Sequence, residues 1–249
     1  MEPLSWIVFS GAVFLGSYVQ SVVGFAMGMI IVALAGASGV ITLPELAAAV
    51  SIISFVNILL SLKGHLHSVN RVILPWMMAG QIPTIAVGVW IITVLDQQAQ
   101  GLLQLLLGIF ILLGSASMMI RPVALAQMSP SWACLVAGIG GGLSGGMFSA
   151  SGPVIGWFTY RQPLELAVIR ATMLAFFAVA SSLRTVVVAV HGGITPDVLW
   201  LSLIALPFVT VGAWLGRVVP PSISDRAMKR AVFGLLLVMG AYIAISAVL

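Results

Sequence analysis

The segment 135–160, LVAGIGGGLSGGMFSASGPVIGWFTY, is apolar enough to lie in a membrane but poorly suited to one continuous helix. It contains eight glycines, three serines and Pro153. A glycine inside a helix costs about 1 kcal/mol relative to alanine, and a proline about 3 kcal/mol. A break at membrane depth exposes backbone polar groups, which is tolerated only where protein or a watery cavity receives them. We therefore predict a discontinuous segment that lines a site. The alternative is a continuous, kinked helix packed through its glycines.

The chain as a whole is too poor in charged residues for a water-soluble fold. Of its 249 residues, 61% are hydrophobic and 6% are charged, whereas soluble domains carry about 25% charged residues. The apolar runs are too long for a β-barrel and predict an all-α polytopic membrane protein. They cover residues 4–40, 44–62, 72–95, 99–120, 131–160, 163–190, 197–219 and 228–248. A single span needs about 20 residues, so 4–40 and 131–160 are too long for one crossing.

Two halves of the chain, 1–124 and 125–249, repeat one pattern. Pro83 and the following VGVW match Pro207 and the following VGAW at an offset of 124 residues. In nearly the same register, the glycine-rich run 24–28 corresponds to 149–153. Each half is therefore predicted to contain a glycine-broken, hairpin-like element followed by three transmembrane helices.

The placement of charge predicts that the two halves are inverted. Suppose that each broken element enters and leaves the membrane on the same side. The basic residues then lie together on one face of the membrane, namely Lys63, Arg71, Arg121, Arg161, Arg217, Arg226, Lys229 and Arg230. The other face then carries Glu2, Glu45, Asp96 and Asp197. Positive loops stay in the cytoplasm, so we expect both termini outside the cytoplasm, in the plasma (inner) membrane. Inverted halves with paired Gly/Pro-interrupted segments are typical of secondary transporters, which bind substrate near the midplane.

The candidate substrate-binding residues are the polar and break-forming residues of these spans. Arg170 lies about seven residues into its span and suits a small oxyanion, which a guanidinium holds by two parallel hydrogen bonds. Alternatively, its stem snorkels to the interface, as we predict for Arg184. For Asn57 and Gln81, an interhelical hydrogen bond is the commoner use. The full candidate set is Gln20, Ser21, Gly24, Phe25, Asn57, Gln81, Ser149, Ser151, Gly152, Pro153 and Arg170.

The remaining reactive residues argue against an enzyme, a metal site and a nucleic-acid partner. The acids at 2, 45, 96, 165, 197 and 225 all lie at span ends, so none is placed to act as a buried base or proton relay. His65 and His67 fit a solvated loop, and Cys134 fits a buried thiol. We therefore expect no catalytic residue, no metal and no cofactor. The partners are the lipid bilayer and a small anionic substrate; a homodimer and a non-transporting scaffold are left open.

At its two glycine-rich segments the chain resembles the TauE/SafE family, the sulfite-exporter group. The resemblance rests on the duplicated architecture, on 16–28, on 138–145 through 151–153, and on Arg170-Ala171-Thr172. It covers essentially the whole chain and implies transport of a small, sulfur-containing anion, sulfite or a sulfonate. The chain departs from the family's glycine-rich pattern at Ala26, Met27, Ser149 and Ser151.

The direction of transport follows from the membrane potential. A potential that is negative inside favours anion exit by about 2.3 kcal/mol per charge per 100 mV. We therefore expect export without further coupling. The alternative is an uptake permease for a small organic acid, coupled to protons through Glu45, Glu165 or a histidine at a span end.

Overall fold

The computed structural model describes residues 3–36, 41–62, 66–120, 123–219 and 225–248. Of the charged and histidine residues considered above, Glu2, Lys63, His65 and Arg121 lie outside this part of the chain, as do the side chains of Asp225, Arg226 and Lys229. The described residues form a short 3-10 turn at Leu66–Ser68 and the following α-helices: α1 (Pro3–Val23), α2 (Met27–Gly36), α3 (Leu43–Leu62), α4 (Ile73–Gln98), α5 (Gln100–Met119), α6 (Ser131–Phe148), α7 (Gly152–Tyr160), α8 (Leu166–Val190), α9 (Pro196–Val218) and α10 (Asp225–Ser246).

Long apolar helices dominate the fold, which confirms the prediction of an all-α membrane protein. Among the described helices, seven are long and apolar enough to cross a membrane, namely those containing Trp6–Val23, Leu43–Leu62, Ile73–Gln98, Gln100–Met119, Ser131–Phe148, Leu166–Val190 and Pro196–Val218. Large apolar side chains such as Trp90, Trp200 and Trp214 are exposed, as expected for helices whose outer faces meet lipid tails rather than water.

Each long glycine-rich segment is two helices that form a hairpin. The first break is Gly24-Phe25-Ala26, after which α2 folds back so that Met27 lies against Gly16 of α1. The second break is residues 149–151, after which α7 folds back along α6. Facing positions of the second hairpin are Gly145 with Ser151, Gly141 with Ile155 and Gly140 with Val154. The alternative of continuous, kinked helices is therefore wrong for both segments.

Each hairpin packs against a helix of the other half through small residues. In the first such pair, α6 lies beside α4, with Gly138 on Met77, Gly142 on Gln81 and Gly146 on Ile85. In the second, α1 lies beside α9, with Phe14 on Gly212 and Tyr18 on Gly216. Because the numbering rises together within each pair, the two helices of a pair run in the same direction. Small residues allow this close backbone approach, so the glycines of 138–146 serve packing as well as the break.

Candidate functional site

The two breaks meet in the interior of the protein. Gly28, at the start of α2, lies directly against the carbonyl of Ser149, and a Cβ built on Gly152 would lie 3.1 Å from Cδ2 of Phe25. The residues around this contact are buried: Phe25 is 1% exposed and Ser151 is 5% exposed. The hairpin tips therefore touch each other rather than lipid.

A small cavity of about 40 Å³ lies beside this contact. It has room for about three water-sized groups, because a water needs roughly 10–15 Å³. Its walls come from both hairpins and from the helices α3 and α8. The lining residues are Gln20, Ala26, Gly28, Met29, Ser54, Ile58, Gly145, Ser149, Ala150, Ser151, Gly152, Phe177, Ala180 and Ser181.

Two short helices, α2 and α7, begin at the wall of this cavity. Gly28 and Met29 are in the first turn of α2, and Gly152 is the first residue of α7. The first backbone N–H groups of a helix have no partner within that helix and carry the positive end of its dipole. The cavity wall therefore offers hydrogen-bond donors that favour negative charge, without a charged side chain.

Four of the predicted site residues line the cavity: Gln20, Ser149, Ser151 and Gly152. Ser151 is held in place because its hydroxyl donates to Gly141 O at 2.7 Å. Gln20 is held by its Nε2, which donates to Asn57 Oδ1 at 3.1 Å. Asn57 in turn donates through Nδ2 to Ser17 Oγ. Asn57 thus supports the cavity wall without lining it, which is the interhelical bond that its residue type favoured.

The other predicted residues lie around the cavity without lining it. Phe25 stacks on Phe233, with ring centroids 5.8 Å apart, and Pro153 packs against Gly114 of α5. Gln81 is buried on α4 and donates from Nε2 to Phe176 O at 3.2 Å; within the described residues its Oε1 has no hydrogen-bond partner. Ser21 pairs with Ser61 at 3.4 Å.

Arg170 and Gly24 lie together at one side of the first break. Gly24 has a φ of +95°, a conformation that glycine adopts readily. A Cβ built on it would lie 3.3 Å from Cγ of Arg170. Arg170 is half-buried, so its stem packs on the first hairpin close to the start of α8.

Arg184 corrects the sequence analysis, which predicted a snorkelling side chain. It is 2% exposed, and its Nε donates to Gly146 O at 2.9 Å while Nη1 donates to Ser51 Oγ at 3.3 Å. The spacing of α8 contained the signal. Arg170, Phe177 and Arg184 are seven residues apart, so they recur on one face of the helix.

The remaining candidates take no part in the cavity. Cys134 is buried in α6, and His67 is exposed within the 3-10 turn. Within the described residues, no group of three or more His, Cys, Asp or Glu side chains could hold a metal ion.

Comparison with known proteins identifies the family. Residues 9–243 match the family model described as sulfite exporter TauE/SafE. The chain belongs to the TauE/SafE family. It is similar to a curated relative from Cupriavidus necator, "Probable sulfite/organosulfonate exporter TauE", with 36% identity over 233 residues that cover 94% of this chain and 91% of the relative. No solved structure matches the chain.

Two departures of this TauE/SafE member from the glycine-rich pattern fall at its breaks. Ala26 has a φ of 92° and Ser149 a φ of 54°, and they are the two non-glycine residues with positive φ in the described chain. A left-handed conformation costs a non-glycine residue about 1–2 kcal/mol. Both breaks therefore hold backbone strain next to the cavity, at positions where glycine would be unstrained.

Proposed function

We propose that this protein exports a small sulfur-containing oxyanion, sulfite or an organosulfonate, across the plasma membrane. The family model and the name of the Cupriavidus necator relative both describe an exporter. The observation that carries the proposal is the meeting of two broken membrane segments at one buried polar cavity. Secondary transporters bind substrate at such a place, where half-helices end near the membrane centre.

The chemistry of the cavity suits an anion. The starts of α2 and α7 present backbone N–H groups, and Gln20 and Ser149 add neutral polar side chains, whereas the Ser151 hydroxyl already donates to Gly141 O. Arg170, beside the first break, supplies positive charge on the approach to the cavity. The cavity holds about three water-sized groups, so we propose that the two hairpin tips separate to admit an anion of four or more heavy atoms.

The packing directions support inverted halves. Within the first half, α3 runs beside α1 in the same direction, because Asn57 reaches Ser17 and Ser61 reaches Ser21. We infer that the next helix, α4, runs back, antiparallel to α1. Since α6 runs with α4, the second hairpin enters from the side opposite to the first. With this arrangement and the positive-inside rule, we propose that both termini lie outside the cytoplasm.

Simple exit down the membrane potential suffices for export. For a monovalent anion, 100 mV supports a gradient of about fiftyfold at 25 °C. The described acids lie at helix ends: Glu45 and Asp197 in first turns, Glu165 at an N-cap and Asp96 near the end of α4. Proton-coupled uptake is accordingly disfavoured, and we assign no catalytic role to the chain. The homodimer stays a prediction that neither the fold nor the relative supports.

Flux in proteoliposomes tests the proposal. Vesicles that contain the purified protein are loaded with sulfite or methanesulfonate, and a potassium diffusion potential is imposed in either sign. We expect efflux to rise when the compartment holding the anion is made negative and to be unaffected by a pH gradient alone. Efflux that ignores the potential and follows the pH gradient refutes the uncoupled exporter. Equal flux in protein-free vesicles refutes transport altogether.

A further inference from the structure

A second arginine, Arg184, lies on α8 beyond the cavity-lining residues of that helix, on the side away from Arg170. The two are fourteen residues apart on α8, about 21 Å along the helix, and the lining residues Phe177, Ala180 and Ser181 lie between them. Each hydrogen-bond partner of Arg184 is close in sequence to a residue that lines the cavity. Gly146 follows the lining residue Gly145, and Ser51 is one turn before the lining residue Ser54. Arg184 itself does not line the cavity, but both of its hydrogen-bond partners lie next to residues that do.

The charge of Arg184 is not balanced by the groups it contacts. The side chain is 2% exposed, and its two hydrogen-bond partners are a backbone carbonyl and a serine hydroxyl, both neutral. No carboxylate is among the hydrogen-bond partners of Arg184 in the described part of the chain; on α3 the acid nearest in sequence to its partner Ser51 is Glu45, six residues away. An ionised side chain within a membrane span is costly on every scale, and such residues usually mark a substrate or ion pathway.

Capping of α6 accounts for one of these bonds but not for the charge. Gly146 is in the last turn of α6, where a cation stabilises the helix dipole. The equivalent place at the end of α1 is served by a neutral group, because the Tyr160 hydroxyl donates to Val23 O at 3.1 Å. A neutral donor therefore suffices to cap a broken helix in this fold. Capping of α6 therefore does not explain why this residue carries a positive charge.

We propose that Arg184 binds the charged oxygens of the transported oxyanion on the side of the cavity away from Arg170. The inference rests on the proposed export function and adds its main charge partner. A guanidinium is planar, stays protonated and presents five N–H donors, which suits a sulfite or sulfonate group with several equivalent oxygens. As the anion binds, it competes with Gly146 O and Ser51 Oγ for these donors, so binding loosens the contacts that join α8 to α6 and α3 beside the cavity.

The test compares ligand-induced stabilisation with transport. Purified full-length wild type, Arg184→Met and Arg184→Lys are melted in detergent with and without sulfite, and sulfite efflux is measured in proteoliposomes. We expect Arg184→Met to lose the sulfite-induced rise in Tm. Lysine keeps the charge but cannot hold two parallel hydrogen bonds, so Arg184→Lys should raise KM by about tenfold while changing the maximal rate much less.

Arg217→Met provides the matched control, because Arg217 is exposed and, among the described residues, its hydrogen-bond partner is a carbonyl outside the cavity wall, Leu60 O. Its sulfite-induced shift and KM should equal those of wild type. A purely structural role predicts a lower Tm for Arg184→Met with the sulfite-induced shift intact, and that result overturns the inference. If Arg184→Met does not fold, an unchanged KM in Arg184→Lys overturns it instead. If the wild-type protein itself shows neither a ligand-induced rise in Tm nor flux with sulfite or methanesulfonate, the export function is refuted together with the inference. This result is distinguishable from the two above, in which only the variants decide.

Discussion

Replacing Gly28 by alanine places one methyl group at the contact of the two breaks. The added Cβ would overlap the carbonyl oxygen of Ser149, far inside the 3.4–4 Å of ordinary van der Waals contact. The obstacle is backbone at a hairpin tip and not the end of a flexible side chain, so the two hairpins must separate. Overpacking of this kind costs about 1–3 kcal/mol.

The same penalty is expected in transport. If the tips must meet in one state of the transport cycle, 1–3 kcal/mol against that state lowers sulfite efflux by about 5- to 150-fold. Efflux from proteoliposomes with an imposed potential measures this effect, and thermal unfolding in detergent measures the loss of stability. Gly11→Ala is the control, because nothing lies within 4 Å of a Cβ at that position of α1.

Two results would refute this reasoning in different ways. Unchanged stability and unchanged efflux in Gly28→Ala would mean that the two breaks do not meet as described. A lower Tm with wild-type efflux would mean that the contact stabilises the protein but does not take part in transport.

Three further predictions concern topology, charge and strain. A reporter active only in the cytoplasm should be active when fused after Lys63 and inactive when fused after Asp96; the reverse pattern contradicts the proposed orientation. Arg170→Ala should abolish sulfite efflux while leaving the protein folded, because it removes the positive charge beside the first break; normal efflux would make Arg170 an interface residue. Ala26→Gly should raise the free energy of unfolding by about 1 kcal/mol, because glycine relieves the strain of a φ of 92° and this gain exceeds its added chain entropy. Thermal unfolding measures that change, and a destabilised Ala26→Gly would show that the alanine is not strained.

The breaks were predictable from sequence because they violate helix propensity within apolar runs. The free-energy cost of placing Pro153 and the glycines on either side of it in a helix is local and can be summed from the residue types. Which helix of the other half covers each hairpin was not predictable in this way. The contact of Gly142 with Gln81, for example, depends on complementary surfaces more than sixty residues apart, and the offset repeats do not state which copy packs on which.

Arg184 shows why some of the surroundings of the cavity were missed. Its distance from the span end suggested snorkelling, since a long stem near an interface usually reaches water. That argument treats the helix as isolated. The carbonyl of Gly146 is available to Arg184 only because α6 stops at its break, so the correct assignment needed the tertiary contact between two segments.

The bond from Ser17 Oγ to Val209 O, 2.7 Å long, joins residues that are 192 positions apart. Ribosomes add about 5–20 residues per second, so α9 is synthesised roughly 10 to 40 seconds after α1. During that interval the small-residue face of α1 has no permanent neighbour, although Asn57 arrives within the first few seconds and can bond Ser17. The packing of the first hairpin is therefore incomplete until α9 has been synthesised. A nascent chain stalled before Pro196 should depend on lipid or on the insertion machinery to cover that face.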